Sequence, residues 1–98
     1  MARKITSVFT RPDVNIPWFQ ETFSQEHRDY MKETYFDTGK AESTWETSAD
    51  GLTLTMVLVI NDPSTWGQDL TLLEKITQRD EYNLLNNIVN VSTDIELI

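Results

Sequence analysis

Between Leu52 and Ile60 the chain alternates without a slip. Leu52, Leu54, Met56, Leu58 and Ile60 fall on one side of an extended backbone, and Thr53, Thr55, Val57 and Val59 fall on the other. This period of two predicts a β-strand, because successive strand side chains point to opposite faces. The first face is apolar throughout and requires a core. The second turns from threonine to valine halfway along, which leaves Val57 and Val59 in need of a cover of their own. Asp50-Gly51 just upstream predicts a hairpin tip of type I′, pairing this strand with Ser43 to Ser48.

The same reading extends along the chain. "RKITSVFT", Arg3 to Thr10, sets Ile5, Ser7 and Phe9 against Thr6, Val8 and Thr10, a strand rich in β-branched residues. Pro12 and Pro17 then mark a loop, with Pro17 suited to a first helical turn. From Trp18 to about Tyr35 the period lengthens, and Phe19, Phe23, Tyr30 and Thr34 line up at helical spacing. This predicts one amphipathic helix of roughly five turns, stopped by Gly39.

Asp62 and Pro63 predict the start of a second helix, whose apolar stripe takes in Trp66, Leu70, Leu73, Ile76, Leu84 and Ile88. A break near Asp69 to Thr71 divides it, and Asn86-Asn87 predicts its end. "VNVSTDIELI" closes the chain as a strand. Phe23, Leu54, Leu58, Leu73 and Leu84 are the expected core.

Strand, helix, strand, strand, helix, strand over residues 1–98 predicts a single α+β domain. The expected fold is ferredoxin-like βαββαβ, a four-stranded antiparallel sheet with two helices on one face. The other face is then bare, with Val8, Val57, Val59 and Ile98 expected on it. Bare apolar sheet faces usually meet another chain, so these four residues form the expected interface of a homo- or hetero-oligomer. The alternative cover is the chain's own loop, through Val14 and Ile16.

Composition removes several function classes. Apolar residues make up 39% of the chain and argue against disorder. There is no cysteine and a lone His27, so thiolate chemistry and histidine metal clusters are ruled out. Sixteen acidic against eight basic residues give a net charge of −8, which opposes binding to nucleic-acid backbone or anionic lipid. "MARKITS" lacks the apolar stretch of a signal peptide, and the longest apolar run, Met56 to Ile60, is far short of a membrane span.

Chemistry-bearing patterns are sparse. No nucleophile elbow, phosphate loop or metal-ligand spacing occurs, so the expectation is no catalytic residue, no cofactor and no metal site. His27, flanked by Glu26 and Asp29, reads as a solvated helical residue without a partner to orient its ring. Trp45, Trp66 and Asn61 match residue types used inside the barrels of antibiotic-biosynthesis monooxygenases. That dimeric α+β barrel enzyme is the alternative reading.

Four strings, "VFTRPDV", "WETSADGLTLT", "DPSTW" and "RDEYNLLNNI", carry a further resemblance. Together they are similar to small uncharacterised proteins encoded among the virion genes of marine tailed phages. Those commonly join a Thr-Arg-Pro start to an Asp-Gly-Leu-Thr hairpin and an Arg-x-x-Tyr-Asn helix, here Arg79, Tyr82 and Asn83. The resemblance implies a non-enzymatic virion or assembly protein, in the particle or the host cytoplasm, that works through contacts with other protein subunits. An acidic inhibitor of a host protein is a third reading, with the net charge supplying steering.

Overall fold

The computed structural model describes residues 2–95. In chain order the elements are β1 (Arg3–Thr10), a 3₁₀ turn (Phe19–Thr22), α1 (Gln25–Met31) and a π-helical turn (Lys32–Phe36). Then come β2 (Ala41–Thr47), β3 (Thr53–Ile60), α2 (Pro63–Gln68), α3 (Leu70–Leu85) and β4 (Val89–Ile95). The strands form one antiparallel sheet in the order β2-β3-β1-β4. The chain is α+β, as its periodicities predict.

Register sorts the sheet residues by face. Phe9 lies opposite Leu54, Ser7 opposite Met56 and Ile5 opposite Leu58, with Ala41 opposite Ile60 across β3. These residues face the core. One cluster joins Phe9, Trp18, Leu54 and Ile88, with Ile16 and Tyr82 packed against it. The other joins Tyr35, Ala41 and Leu72, with Leu58, Met31 and Trp66 against it.

Local chemistry explains the turns. At the hairpin, the Gly51 amide donates to the Ser48 carbonyl at 2.9 Å, and the Asp50 carboxylate accepts from the Leu52 amide at 3.0 Å. Asp50 is not among the residues with positive φ, whereas Gly51 has φ of +75°. The tip is therefore an ordinary right-handed turn closed by a left-handed glycine, and not the predicted type I′ turn. Arg11 ties this tip to the loop after β1, donating to the Gly51 carbonyl at 2.8 Å and to the Ile16 carbonyl at 2.6 Å. Its guanidinium sits 4.4 Å from the centre of the Trp18 ring. Gly39 (φ +75°) and Asn87 (φ 56°) end their helical segments as the sequence predicts.

The predicted helix from Trp18 to Tyr35 is not continuous. Trp18 and Phe23 are extended, and Ser24 starts α1 afresh by accepting from the His27 amide at 3.1 Å. Pro17 therefore precedes an extended residue and does not open a helix. Aromatic contacts bridge the break, Phe19 meeting Phe23 at 5.3 Å and Phe23 meeting His27 at 4.7 Å, while Tyr35 meets Trp66 of α2 at 4.9 Å.

The second helix breaks where expected but turns a different face inward. Asp69 is extended and caps α3 by accepting from the Thr71 and Leu72 amides. This cap resets the helical phase. Leu72 and Asn83 are buried, whereas Leu70, Leu84 and Leu85 are 78%, 82% and 81% exposed. Leu73 and Ile76 are also exposed. The predicted stripe through Leu70, Leu73, Ile76 and Leu84 is thus corrected, and Leu73 and Leu84 leave the expected core. Among the described residues, no helix is long and apolar enough to cross a membrane.

Candidate functional site

Two surfaces stand out, one on each side of the sheet. On the side away from the core, register places Val8 between Thr55 and Val91, Val57 between Thr6 and Thr44, and Val59 between Lys4 and Glu42. Val8, Val57 and Val59 are half-buried, and Val89 and Val91 are exposed. None of the five belongs to either core cluster. Three of the four predicted interface residues therefore share one face, while Ile98 lies outside the described residues. The loop alternative is corrected: Ile16 packs with Phe9 and Trp18 on the core side, and Val14 is exposed beside the hairpin tip.

The second surface is a cavity of about 500 Å³ on the core side. Ile5, Met56 and Leu58 of the sheet form its floor, and Phe23, Met31, Leu72 and Trp66 line it from the helical segments. Trp45, Phe36 and Ile76 also border it and are solvent-exposed, so the cavity opens to the surface beside them. Gln20, His27, Arg28, Lys75 and Arg79 bring polar chemistry into this apolar chamber.

An anchor below the helices fixes this arrangement. The Asp69 carboxylate accepts hydrogen bonds from the hydroxyls of Tyr30 and Tyr35 while capping α3. Burial works to raise its pKa, but the two hydroxyls and the backbone amides of Leu72 and Thr71 outweigh burial and hold it below the ordinary carboxylate value. Burial, followed by the bond to Asp69, pushes the Tyr35 phenol well above its usual range. One carboxylate thereby joins the π-helical turn to the start of α3 and decides which face of α3 looks into the cavity.

His27 departs from its expected place. It is 7% exposed, lines the cavity, and packs between the rings of Phe23 and Tyr30. Burial lowers its pKa, the Lys75 charge lowers it further, and Asp69 opposes them. Its imidazole makes no hydrogen bond among the described residues. Trp45 and Trp66 do border one cavity, whereas Asn61 is exposed and donates to the Gly39 carbonyl at 2.9 Å. The trio named by the monooxygenase alternative is therefore not assembled.

Sequence periodicity missed Gln20, Lys75 and Arg79 as cavity residues. Gln20 falls in the 3₁₀ turn, where helical spacing gives the wrong direction. Lys75 and Arg79 turn inward only because Asp69 resets the phase of α3. The Asp-Leu-Thr-Leu run at 69–72, a capping residue just before an apolar pair, is the one signal that carries this information. No protein-family model, curated protein or solved structure matches the chain.

Proposed function

We propose that the chain is a non-enzymatic assembly protein of ferredoxin-like fold, with α1 and α3 on one sheet face and the other face packed against a second copy. The observation that carries this reading is the make-up of the uncovered face. Across β1, β3 and β4 its described side chains are valine and threonine, with Lys4 the single charge, while on the β2 edge of the same face Glu42 and Glu46 flank Thr44. In a chain of net charge −8, a stretch of three strands so nearly free of charge, with its carboxylates confined to the β2 edge, can be desolvated cheaply. β-Branched side chains on two such faces interdigitate at the roughly 10 Å spacing of stacked sheets, and a two-fold axis lets one face serve as its own complement. Full burial would gain up to roughly 1.5–3 kcal/mol for a fully exposed valine, and less for the half-buried Val8, Val57 and Val59.

The resemblance to virion proteins of tailed phages suggests a particle as the setting, where subunits are held at high local concentration. Light-scattering mass measurement tests the reading. The wild-type chain is expected to run as a dimer or larger, and a Val57→Lys, Val59→Lys double variant as a folded monomer. A wild-type chain that stays monomeric at every accessible concentration overturns it.

A further inference from the structure

We propose that the cavity on the core side is a binding site for an amphipathic organic carboxylate: an apolar body carrying one anionic head. Charge is the first observation. The chain carries twice as many acidic as basic residues, yet every charged group lining the cavity is cationic or, for His27, a base. Arg28, Lys75 and Arg79 line it, and no aspartate or glutamate does. A purely structural chamber has no use for this inversion.

The orientation of α3 is the second. A helix that only completes a core turns its leucines inward and its cations outward. Here Leu84 and Leu85 face solvent while Lys75 and Arg79 face the cavity. Lys75 makes no hydrogen bond or ion pair among the described residues. The Arg79 guanidinium lies 5.7 Å from the centre of the Phe9 ring, with Asp80 at 3.1 Å.

Gln20 supplies the third, independent observation. It is 4% exposed and lines the cavity, and its Nε2 has no hydrogen-bond partner among the described residues, a property shared with the Asn83 Nδ2, which does not line the cavity. A buried amide donor left unpaired is destabilising, and native chains retain few of them. A carboxylate oxygen satisfies such a donor and neutralises the cations around it. The apolar part of the ligand is accommodated by Met31, Met56, Phe23 and Trp66, with the methionines able to repack around different shapes. The volume lies within the roughly 300–1,000 Å³ of small-molecule sites.

Titration of the full chain with dodecanoate tests this, read by calorimetry and by the emission of Trp45 and Trp66. Dodecyltrimethylammonium and 1-dodecanol serve as cationic and neutral controls of the same chain length. Dodecanoate is expected to bind saturably at one site, roughly tenfold or more tighter than either control. Gln20→Leu and Lys75→Met are each expected to weaken dodecanoate while leaving dodecanol binding unchanged. Gln20→Leu should also raise the melting temperature of the ligand-free chain, because it removes the unpaired donor. Ser43→Phe, which fills the cavity from the sheet side, should abolish binding of both. Equal affinity for the three head groups, absence of saturable binding, or full dodecanoate affinity in Gln20→Leu overturns the assignment.

Discussion

Tyr35, buried in the π-helical turn, donates its hydroxyl to Asp69, the residue that opens α3. The contact couples two elements far apart in the chain and sets the rotation of the longest helix. Tyr35→Phe is expected to lower stability by about 1.5–3 kcal/mol, the usual worth of a hydrogen bond to a charged group. Asp69→Ala should cost more, since it also strands the Tyr30 hydroxyl and uncaps α3. Urea denaturation of the two variants measures both, and equal stability of Asp69→Ala and wild type would contradict the anchor.

The two left-handed glycines should respond differently to substitution. At Gly39 a Cβ meets nothing within 4 Å, so Gly39→Ala carries only the backbone penalty, about 1–2 kcal/mol. At Gly51 the same Cβ would lie 3.3 Å from the Val14 side chain. Gly51→Val adds a β-branched clash to the positive φ and is expected to be the more costly by thermal melting. A larger loss at Gly39 would contradict the hairpin geometry.

Two leucines of α3, one buried and one exposed, offer a direct check on its phase. Leu72→Ala should cost about 2–5 kcal/mol, because Leu72 packs with Tyr35 and Ala41. Leu84→Ala should change stability by less than about 0.5 kcal/mol, as expected for a solvent-facing position. The reverse order would restore the stripe that periodicity alone predicts.

That contrast shows what the sequence carries and what it lacks. The sheet was legible because a strand's period is two, and one slip would move every side chain to the wrong face. Val57 and Val59 opposite Leu54 and Leu58 follow from that arithmetic alone. Helical phase is more fragile. A single capping residue such as Asp69 or Ser24 restarts the count, and neighbouring leucines then exchange inside for outside. The cavity depends on both restarts and emerges only when the elements are placed together. The Asp50-Gly51 pair marks the place of the tip but not its turn type, because Ser48 and the Asp50 side chain close a longer loop than a two-residue tip needs.

His27 gives the chain an acid-sensitive point. Its folded pKa is lowered, so the neutral ring is favoured in the folded state. The stability it contributes is complete above the ordinary value of 6.5 and is lost as the pH falls through the lowered folded value. The wild-type chain should therefore lose stability as the pH falls below 6.5, and His27→Gln should lose less over the same range. The carboxylates of Asp50, Asp62 and Asp69 act separately, since their depressed values place their losses below 3.8. Superimposable pH profiles for wild type and His27→Gln would contradict burial of the ring.

Assembly through the valine face is tested most directly by a thiol placed on it. The chain has no cysteine, so Val57→Cys introduces a single reporter, and Thr38→Cys provides a control in the exposed turn after the π-helical segment. Maleimide labelling rates are followed as protein concentration rises. The Val57→Cys rate is expected to fall steeply as copies associate, while the Thr38→Cys rate stays constant. A Val57→Cys rate that does not change with concentration, in a sample shown to be associated, would place the contact elsewhere and contradict the interface.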